Sequence, residues 1–106
     1  MAVYVDRARH ALLRMKMSHM LADTEEELHA MAAKIGLKRG WFQPLSTPHY
    51  DVSQTKRREA LDNGAVEIGN HDLVALIRRL RGERLTQLKM AVVVEHRIAQ
   101  ALRRFG

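Results

Sequence analysis

The segment from Thr24 to Gly36 contains the signals for both ends of an amphipathic helix, and no other stretch constrains the fold as strongly. Thr24 and Glu27 have the spacing of a capping box, in which each side chain satisfies a backbone N–H of the first turn. Apolar residues then recur three and four positions apart, and Gly36 is a typical C-terminal stop. We therefore expect a helix over residues 24–35. Its buried face would comprise Leu28, Met31, Ala32 and Ile35.

Three segments rich in β-favouring residues alternate with helical patterns along the chain. The predicted strands lie near residues 3–5, 41–43 and 65–68. Strands that alternate with helices indicate an α/β fold, here a small three- or four-stranded sheet with helical cover and a long basic C-terminal helix. The sheet core is expected to contain Val3, Val5, Val66 and Ile68.

The remaining segments have weaker or more local signals. Residues 7–16 are interpreted as a loop or a short irregular helix, and residues 17–22 fit either a strand or part of a helix. Pro44 and Pro48 bracket a predicted loop. Ser53 can cap a helix over residues 54–62.

The second half of the chain is predicted to be helical. One helix is expected over residues 71–81, and Gly82 is expected to break it before a last helix over 83–104. We accordingly divide the chain into an α/β domain, residues 1–82, and a basic amphipathic C-terminal helix, residues 83–106.

Composition excludes several classes of protein. A chain of 106 residues is expected to form one domain with one modest core. The absence of cysteine excludes disulfides, thiolate nucleophiles and Cys-based zinc sites. No apolar run approaches the ~20 residues that span a bilayer, and the N-terminus lacks the basic and apolar regions of a signal peptide. We expect a cytoplasmic protein with no membrane association.

The net charge of +6 is unevenly distributed. Residues 1–69 carry ten Lys/Arg and nine Asp/Glu, whereas residues 70–106 carry eight Lys/Arg and three Asp/Glu. A basic excess of this kind favours an acidic partner, and nucleic acid is the partner that we expect. The alternative is a solvated basic face with no partner.

Polar groups in the first half collect where strands are expected to end. In open sheets, functional groups gather at such positions. The candidate catalytic residues are Asp6, His19, His49 and Asp51. Of these, His19, His49 and Asp51 are candidate ligands for a divalent metal such as zinc, manganese or magnesium. Structural interpretations are also open: His49 can bond a backbone carbonyl, and Asp51 can make an Asx-turn before Ser53. The nearby Asp23 can cap the helix that follows it.

A phosphate group is the substrate chemistry that the flanking residues favour. Lys56, Arg57 and Arg58 open a predicted helix, and both arginines and helix N-termini bind phosphate. The alternative is a solvated helix face. Trp41 or Phe42 can stack on a base, although adjacent strand residues face opposite ways, so that only one of the two is expected to be exposed.

The last predicted helix carries an apolar stripe. Two interpretations remain open: the stripe pairs with a second copy to form a homodimer, or it folds back on the sheet. The stripe comprises Leu85, Leu88, Val92, Ile98 and Leu102.

Four short motifs lie in this order in the first half of the chain: Val3-Tyr4-Val5-Asp6, His19-Met20-Leu21-Ala22-Asp23-Thr24, Trp41-Phe42-Gln43 and Pro48-His49-Tyr50-Asp51. Together they resemble a small bacterial and bacteriophage domain family of unknown function. The resemblance covers about residues 2–80 and implies a bacterial or bacteriophage source, but no established activity. Residues 83–106 have no counterpart in it.

Two functions are compatible with the sequence. The first is a nucleic-acid-associated domain whose His/Asp site binds a divalent metal and acts on a phosphate group. The second is a non-catalytic phage or bacterial interaction module that modulates a host protein. The missing nucleophile motifs and the extra helix favour the second, whereas the His and Asp motifs favour the first.

Overall fold

The computed structural model describes residues 2–12, 15–45 and 47–105. Strands and helices alternate along much of this part of the chain. The strands are β1 (Val3–Asp6), β2 (His10–Leu12), β3 (Met15–Ala22), β4 (Tyr50–Ser53) and β5 (Val66–Ile68). The α-helices are α1 (Glu25–Lys34), α2 (Gln54–Asp62) and α3 (Asn70–Phe105). The predicted α/β class is confirmed.

β3 is the central strand of a mixed five-stranded sheet. Met17 has partners in both β2 and β4, and Met20 has partners in both β1 and β4. β4 therefore occupies one edge of β3, while β1 and β2 share the other edge. β5 joins β1 in parallel, so the predicted connection between the strands near residues 3–5 and 65–68 is confirmed.

The alternation of side chains along the strands gives the sheet two different faces. One face packs against α1 and α2 and forms the main core, which contains Val5, Met20, Tyr50, Val52 and Leu28. The other face packs against the first turns of α3, where the buried residues are Leu21, Ile68 and Leu76. Both faces are thus covered, but the second is covered by a single helix.

The helix starts predicted from local signals are confirmed. The Thr24 hydroxyl oxygen accepts a hydrogen bond from the Glu27 N–H at 3.2 Å and the hydroxyl donates to Glu27 Oε1 at 2.9 Å. At α2, the Ser53 hydroxyl oxygen accepts from the Lys56 N–H at 3.2 Å. The residues expected on the buried face of α1 are all buried.

Two strand predictions in the first half are wrong. Residues 39–41 form a 3₁₀ turn, and of the predicted strand 41–43 only Gln43 makes a bridge, to His49. Pro44 follows directly, and because it has no N–H it cannot continue a ladder. Conversely, residues 10–12, expected in a loop or irregular helix, form β2 through pairing with β3.

Val66 is also not the core residue that was predicted. Its side chain is 46% exposed, whereas Val3, Val5 and Ile68 are buried as expected. Val66 begins β5, which lies at the edge of the sheet and has a neighbouring strand on one side only.

The break predicted at Gly82 is wrong, because α3 continues through it. At 36 residues, α3 would be ~54 Å long, which accounts for most of the 60 Å long axis of the molecule. Leu85, Leu88 and Val92 are exposed along it. The homodimer through this stripe, and the division of the chain at residue 82, stay predictions. Among the described residues, no helix combines the length and apolar character needed to span a membrane.

Replacement of Gly82 by alanine should stabilise the protein. Gly82 lies in a helix interior, and a Cβ there would meet nothing within 4 Å. The G82A variant should gain ~0.5–1 kcal/mol in the free energy of unfolding, measured by chemical denaturation followed by circular dichroism. Gly64 is the matched control: its surroundings are equally open but its φ is +97°, so G64A should lose stability. A loss of stability in G82A would contradict a continuous α3.

Candidate functional site

The sheet places four polar side chains on the face that α3 partly covers. His19 on β3 lies opposite Asp51 on β4 in the antiparallel register. His10 pairs with Met17, two residues before His19, so both imidazoles lie on the same face. Their rings stack with centroids 4.7 Å apart. Asp6 at the end of β1 completes the group, which therefore comes from four strands.

Asp6 fills a gap in the sheet between β1 and β2. Residues 7–9 belong to neither strand, so among the described residues no strand pairs with this part of the β3 edge. The fully buried Asp6 carboxylate occupies this position: Oδ1 accepts from the His19 backbone N–H at 2.8 Å, and Oδ2 accepts from His19 Nδ1 at 2.6 Å. The Ser18 hydroxyl also donates across the gap, to the Ala8 carbonyl at 2.5 Å. Asp6 thus replaces a strand partner and orients the His19 ring.

The contact shifts the pKa values of both groups. Burial alone would raise the pKa of Asp6, but the hydrogen bonds from the ring and backbone of His19 outweigh burial, so that the pKa is lowered. For His19, the hydrogen bond to Asp6 raises the pKa; burial opposes this, and the charges of Asp6 and Asp51 add to it. Asp6 is therefore ionised and only accepts, which fixes the proton of neutral His19 on Nδ1.

Two histidine nitrogen atoms lie close to the Asp51 carboxylate. His19 Nε2 and His49 Nε2 lie 3.9 and 3.7 Å from Asp51 Oδ1. His49 Nδ1 donates to the Thr47 carbonyl at 2.8 Å, so in their neutral forms both histidines direct an unprotonated Nε2 toward this oxygen. Asp51 Oδ2 accepts from Gln43, but Oδ1 is buried and has no hydrogen-bond partner among the described residues. A cation or added protons would satisfy these atoms.

Three residues have the arrangement of a metal site. His10, His19 and Asp51 each offer one ligand atom, and these three atoms lie within 4.8 Å of one another. His10 Nε2 is 3.9 Å from Asp51 Oδ2. The predicted ligand set shares His19 and Asp51 with this group. His10 was not predicted, because only the pairing of β2 with β3 brings it beside His19. The spacing of His10 and His19 in the sequence carries no such signal.

Asp23 has a structural role outside this group. Its carboxylate accepts from the Ala2 N–H at 2.7 Å and from the Tyr4 hydroxyl, and it forms an ion pair with Arg79 on α3. Burial tends to raise the pKa of Asp23, but these hydrogen bonds, above all that from Arg79, lower it overall. Thr24 caps α1 in its place.

Two of the three basic residues that were predicted to bind phosphate donate hydrogen bonds to backbone carbonyls. Lys56 Nζ donates to the Ile35 carbonyl at 2.7 Å, and Arg57 Nε donates to the Asp6 carbonyl at 2.9 Å. Arg58 is exposed. Their phosphate-binding role stays a prediction.

A cavity of about 200 Å³ lies between the sheet and α3 beside the two histidines. His19, His49 and Thr47 form part of its lining. Leu21 and the α3 residues Leu73, Ile77 and Arg81 form the rest. The site is therefore open to a small ligand, with an apolar wall and one guanidinium.

Comparison with known proteins identifies one family. A family model described as a protein of unknown function, DUF4031, matches residues 3–80. The chain belongs to this DUF4031 family. The match includes all the residues grouped around Asp51 and ends one residue before Arg81. No curated protein and no solved structure matches the chain. A bacterial or bacteriophage source stays a prediction.

The pairing of Asp6 with His19 should make stability depend on pH. Because the pKa of His19 is raised, protonation of its ring stabilises the folded protein. This stabilisation is fully present below about pH 6.5, the ordinary pKa of histidine, and is lost as the pH rises through the pKa of His19 in the folded protein. The lowered pKa of Asp6 contributes above about pH 3.9 and is lost in acid. The stability difference between wild type and D6N should therefore be largest between about pH 4 and 6.5.

NMR titration of the histidine rings, with a chelator present, measures the same effect directly. The pKa of His19 should lie above the ordinary value in the wild type and fall in D6N. His29, whose pKa is lowered chiefly by burial and with no contribution from Asp6, should show the same pKa in both proteins. An unchanged His19 titration in D6N would show that Asp6 does not set its protonation.

Proposed function

We propose that this DUF4031 domain binds a divalent transition-metal ion through His10, His19 and Asp51 and hydrolyses a phosphate ester of nucleic acid. The observation that carries the proposal is the buried Asp51 Oδ1, which makes no hydrogen bond with a described residue while two imidazole nitrogens face it. An unsatisfied buried acceptor costs ~1–3 kcal/mol, and a bound cation would remove this cost.

The environment of His19 also supports a metal site. Metal-binding histidines usually donate their second ring N–H to a carboxylate or carbonyl, which fixes the tautomer and the ring orientation. Asp6 accepts that bond from His19 at 2.6 Å. Two imidazoles and one carboxylate suit zinc, manganese or iron(II) better than magnesium, which prefers oxygen ligands.

Such a site can hydrolyse a phosphate ester. A divalent ion supplies Lewis acidity and lowers the pKa of a coordinated water. His49 is the proposed general base, since its Nδ1–H is held by the Thr47 carbonyl and its Nε2 remains to accept a proton. A water would then attack phosphorus as its proton passes to His49, the phosphorus–oxygen ester bond would break, and the leaving oxygen would take a proton from solvent, to which His49 would return its own.

Charge and an exposed aromatic ring support nucleic acid as the substrate. The net charge is +6. Trp41 is 52% exposed beside Lys38, whose Nζ lies 5.5 Å from the ring centroid, whereas Phe42 packs against the core. An aromatic ring flanked by cations is a typical surface for stacking a single-stranded base.

A second candidate function is the non-catalytic interaction module. It is favoured by the exposure of Leu85 and Leu88, at 58% and 56%, on α3. This function does not require the histidine cluster to bind a metal, so metal titration separates the two.

Metal-stripped protein should bind one zinc or manganese ion per chain, measured by isothermal titration calorimetry. H19A should abolish this binding because it removes a ligand nitrogen, and D51N should greatly weaken it because a neutral amide replaces the anionic carboxylate. D6N should weaken it by about 10- to 100-fold, the usual effect of losing a carboxylate that orients a histidine ligand. Affinity should fall with decreasing pH, since protons compete for the imidazole nitrogens.

H71A is the matched control for these variants. His71 is 99% exposed on α3, so its loss should leave metal affinity unchanged. Absence of binding in the wild type, or equal binding in H19A, would refute the metal site.

Trp41 is the only tryptophan in the chain, so its fluorescence reports directly on nucleic-acid binding. A single-stranded oligonucleotide should quench it, and the affinity should fall as salt increases. W41A, measured by fluorescence anisotropy of a labelled oligonucleotide, should bind about 5- to 100-fold more weakly, because stacking contributes ~1–3 kcal/mol per base.

L45A is the control for this variant, because Leu45 is 83% exposed and has no aromatic ring. Its affinity should equal that of the wild type. Equal losses in L45A and W41A would argue against stacking on Trp41.

A further inference from the structure

The cavity beside His19 and His49 has the size and charge of a phosphate site. Its volume of about 200 Å³ is below the ~300–1,000 Å³ of pockets that enclose whole small molecules. Arg81 contributes a guanidinium to the lining, which otherwise consists of the two imidazoles, one hydroxyl and apolar side chains. The cavity lining therefore contains a positively charged guanidinium and no carboxylate. The carboxylates of Asp6 and Asp51 lie against His19 outside this lining.

Arg81 is held in position at this cavity. Its Nε donates to the Thr47 hydroxyl oxygen at 3.1 Å, and Thr47 is only 6% exposed. Thr47 is two residues from His49, whose Nδ1 donates to the Thr47 carbonyl. One loop residue thus contacts both the proposed base and the guanidinium, whose planar donors suit phosphate oxygens.

A larger groove of about 620 Å³ adjoins the cavity and shares Thr47 and Arg81 with it. The groove lies between the start of α1 and the middle of α3. Its lining contains more carboxylates than guanidinium groups: Asp23, Glu25, Glu26 and Glu83 against Arg81 and Arg84. These carboxylates would repel a second phosphate. They are, however, suitable acceptors for the N–H groups of a nucleobase.

We infer that the site takes a nucleotide with a terminal phosphate, which Arg81 holds in the cavity beside His19 and His49 while the base lies in the acidic groove. The inference deepens the proposed function and depends on it for the chemical step. It excludes duplex substrates, because a terminal base that lies in the groove cannot also remain paired in a double helix. A free mononucleotide and the phosphorylated end of a single strand share the required chemistry.

Calorimetric titration with adenosine 5′-monophosphate and with adenosine tests whether the cavity binds the phosphate. The monophosphate should bind the zinc-loaded wild type more tightly than adenosine does. R81Q should weaken monophosphate binding by about 10- to 100-fold, the loss expected for hydrogen bonds to a charged group. The monophosphate affinity of R81K should lie between those of wild type and R81Q. Lysine keeps the positive charge but lacks the planar paired donors of the guanidinium. Adenosine and zinc affinities should stay unchanged in both variants.

R78Q is the matched control. Arg78 is an exposed arginine one helical turn earlier on α3 and lines neither cavity. Its monophosphate affinity should equal that of the wild type. Equal affinities of R81Q and wild type for the monophosphate, with zinc binding intact, would overturn the inference alone. Absence of zinc binding in the wild type would overturn the proposed function, while phosphate binding in the cavity would still be tested in metal-free protein.

Oligonucleotides identify the source of the phosphate. A 5′-phosphorylated single strand that binds more tightly than the mononucleotide indicates a strand end as the substrate, whereas the reverse order indicates a free nucleotide. A blunt duplex with the same 5′-phosphate should bind at least tenfold more weakly than the single strand. Equal binding of duplex and single strand would contradict the placement of the terminal base in the groove.

Discussion

The Asp6 carboxylate is the group on which both the sheet and the candidate site depend. It is fully buried, and a buried charge is tolerated only when it is paired and hydrogen-bonded. Both of its oxygens bond to one residue, His19, through the backbone N–H and the ring. The backbone bond closes the gap between β1 and β2, and the ring bond fixes where Nε2 points. A single carboxylate therefore stabilises the sheet and orients a candidate ligand.

The two faces of the sheet separate stability from chemistry. Along β3 and β4, Met20, Tyr50 and Val52 enter the main core, while His19 and Asp51 point to the opposite face. Because side chains alternate with a period of two, a slip of one residue in the pairing would bury the histidine and expose the core. The packing of the main core thus fixes the register that brings His19 opposite Asp51.

The elements that could be predicted from the sequence are those with local causes. Thr24 and Ser53 mark helix starts through side-chain bonds to residues three positions later, so their effect is visible in a short window. β2 has no such signal, because β3 is its one strand partner in the part of the chain that the structure describes, and the role of His10 follows from that pairing. Asp6, His19, His49 and Asp51 could be selected as polar residues near predicted strand ends. Their mutual distances depend on strand register, which local patterns do not specify.

The glycines Gly36 and Gly82 differ in their effect on a helix. A glycine ends a helix when its backbone adopts the left-handed conformation, as at Gly36 with φ of +79°. Nothing turns the chain at Gly82, because arginines on both sides of it attach α3 to the domain. Arg79 pairs with Asp23, Arg81 bonds Thr47, and Arg84 donates to the Pro44 carbonyl at 3.1 Å.

These polar contacts continue the docking of α3 beyond Leu80, the last α3 residue in the apolar cluster. They also border the cavity and the groove, as Asp23, Thr47, Arg81 and Arg84 line one or both. Apolar packing therefore positions the start of α3, whereas the arginine contacts that extend its docking place the Arg81 guanidinium at the cavity.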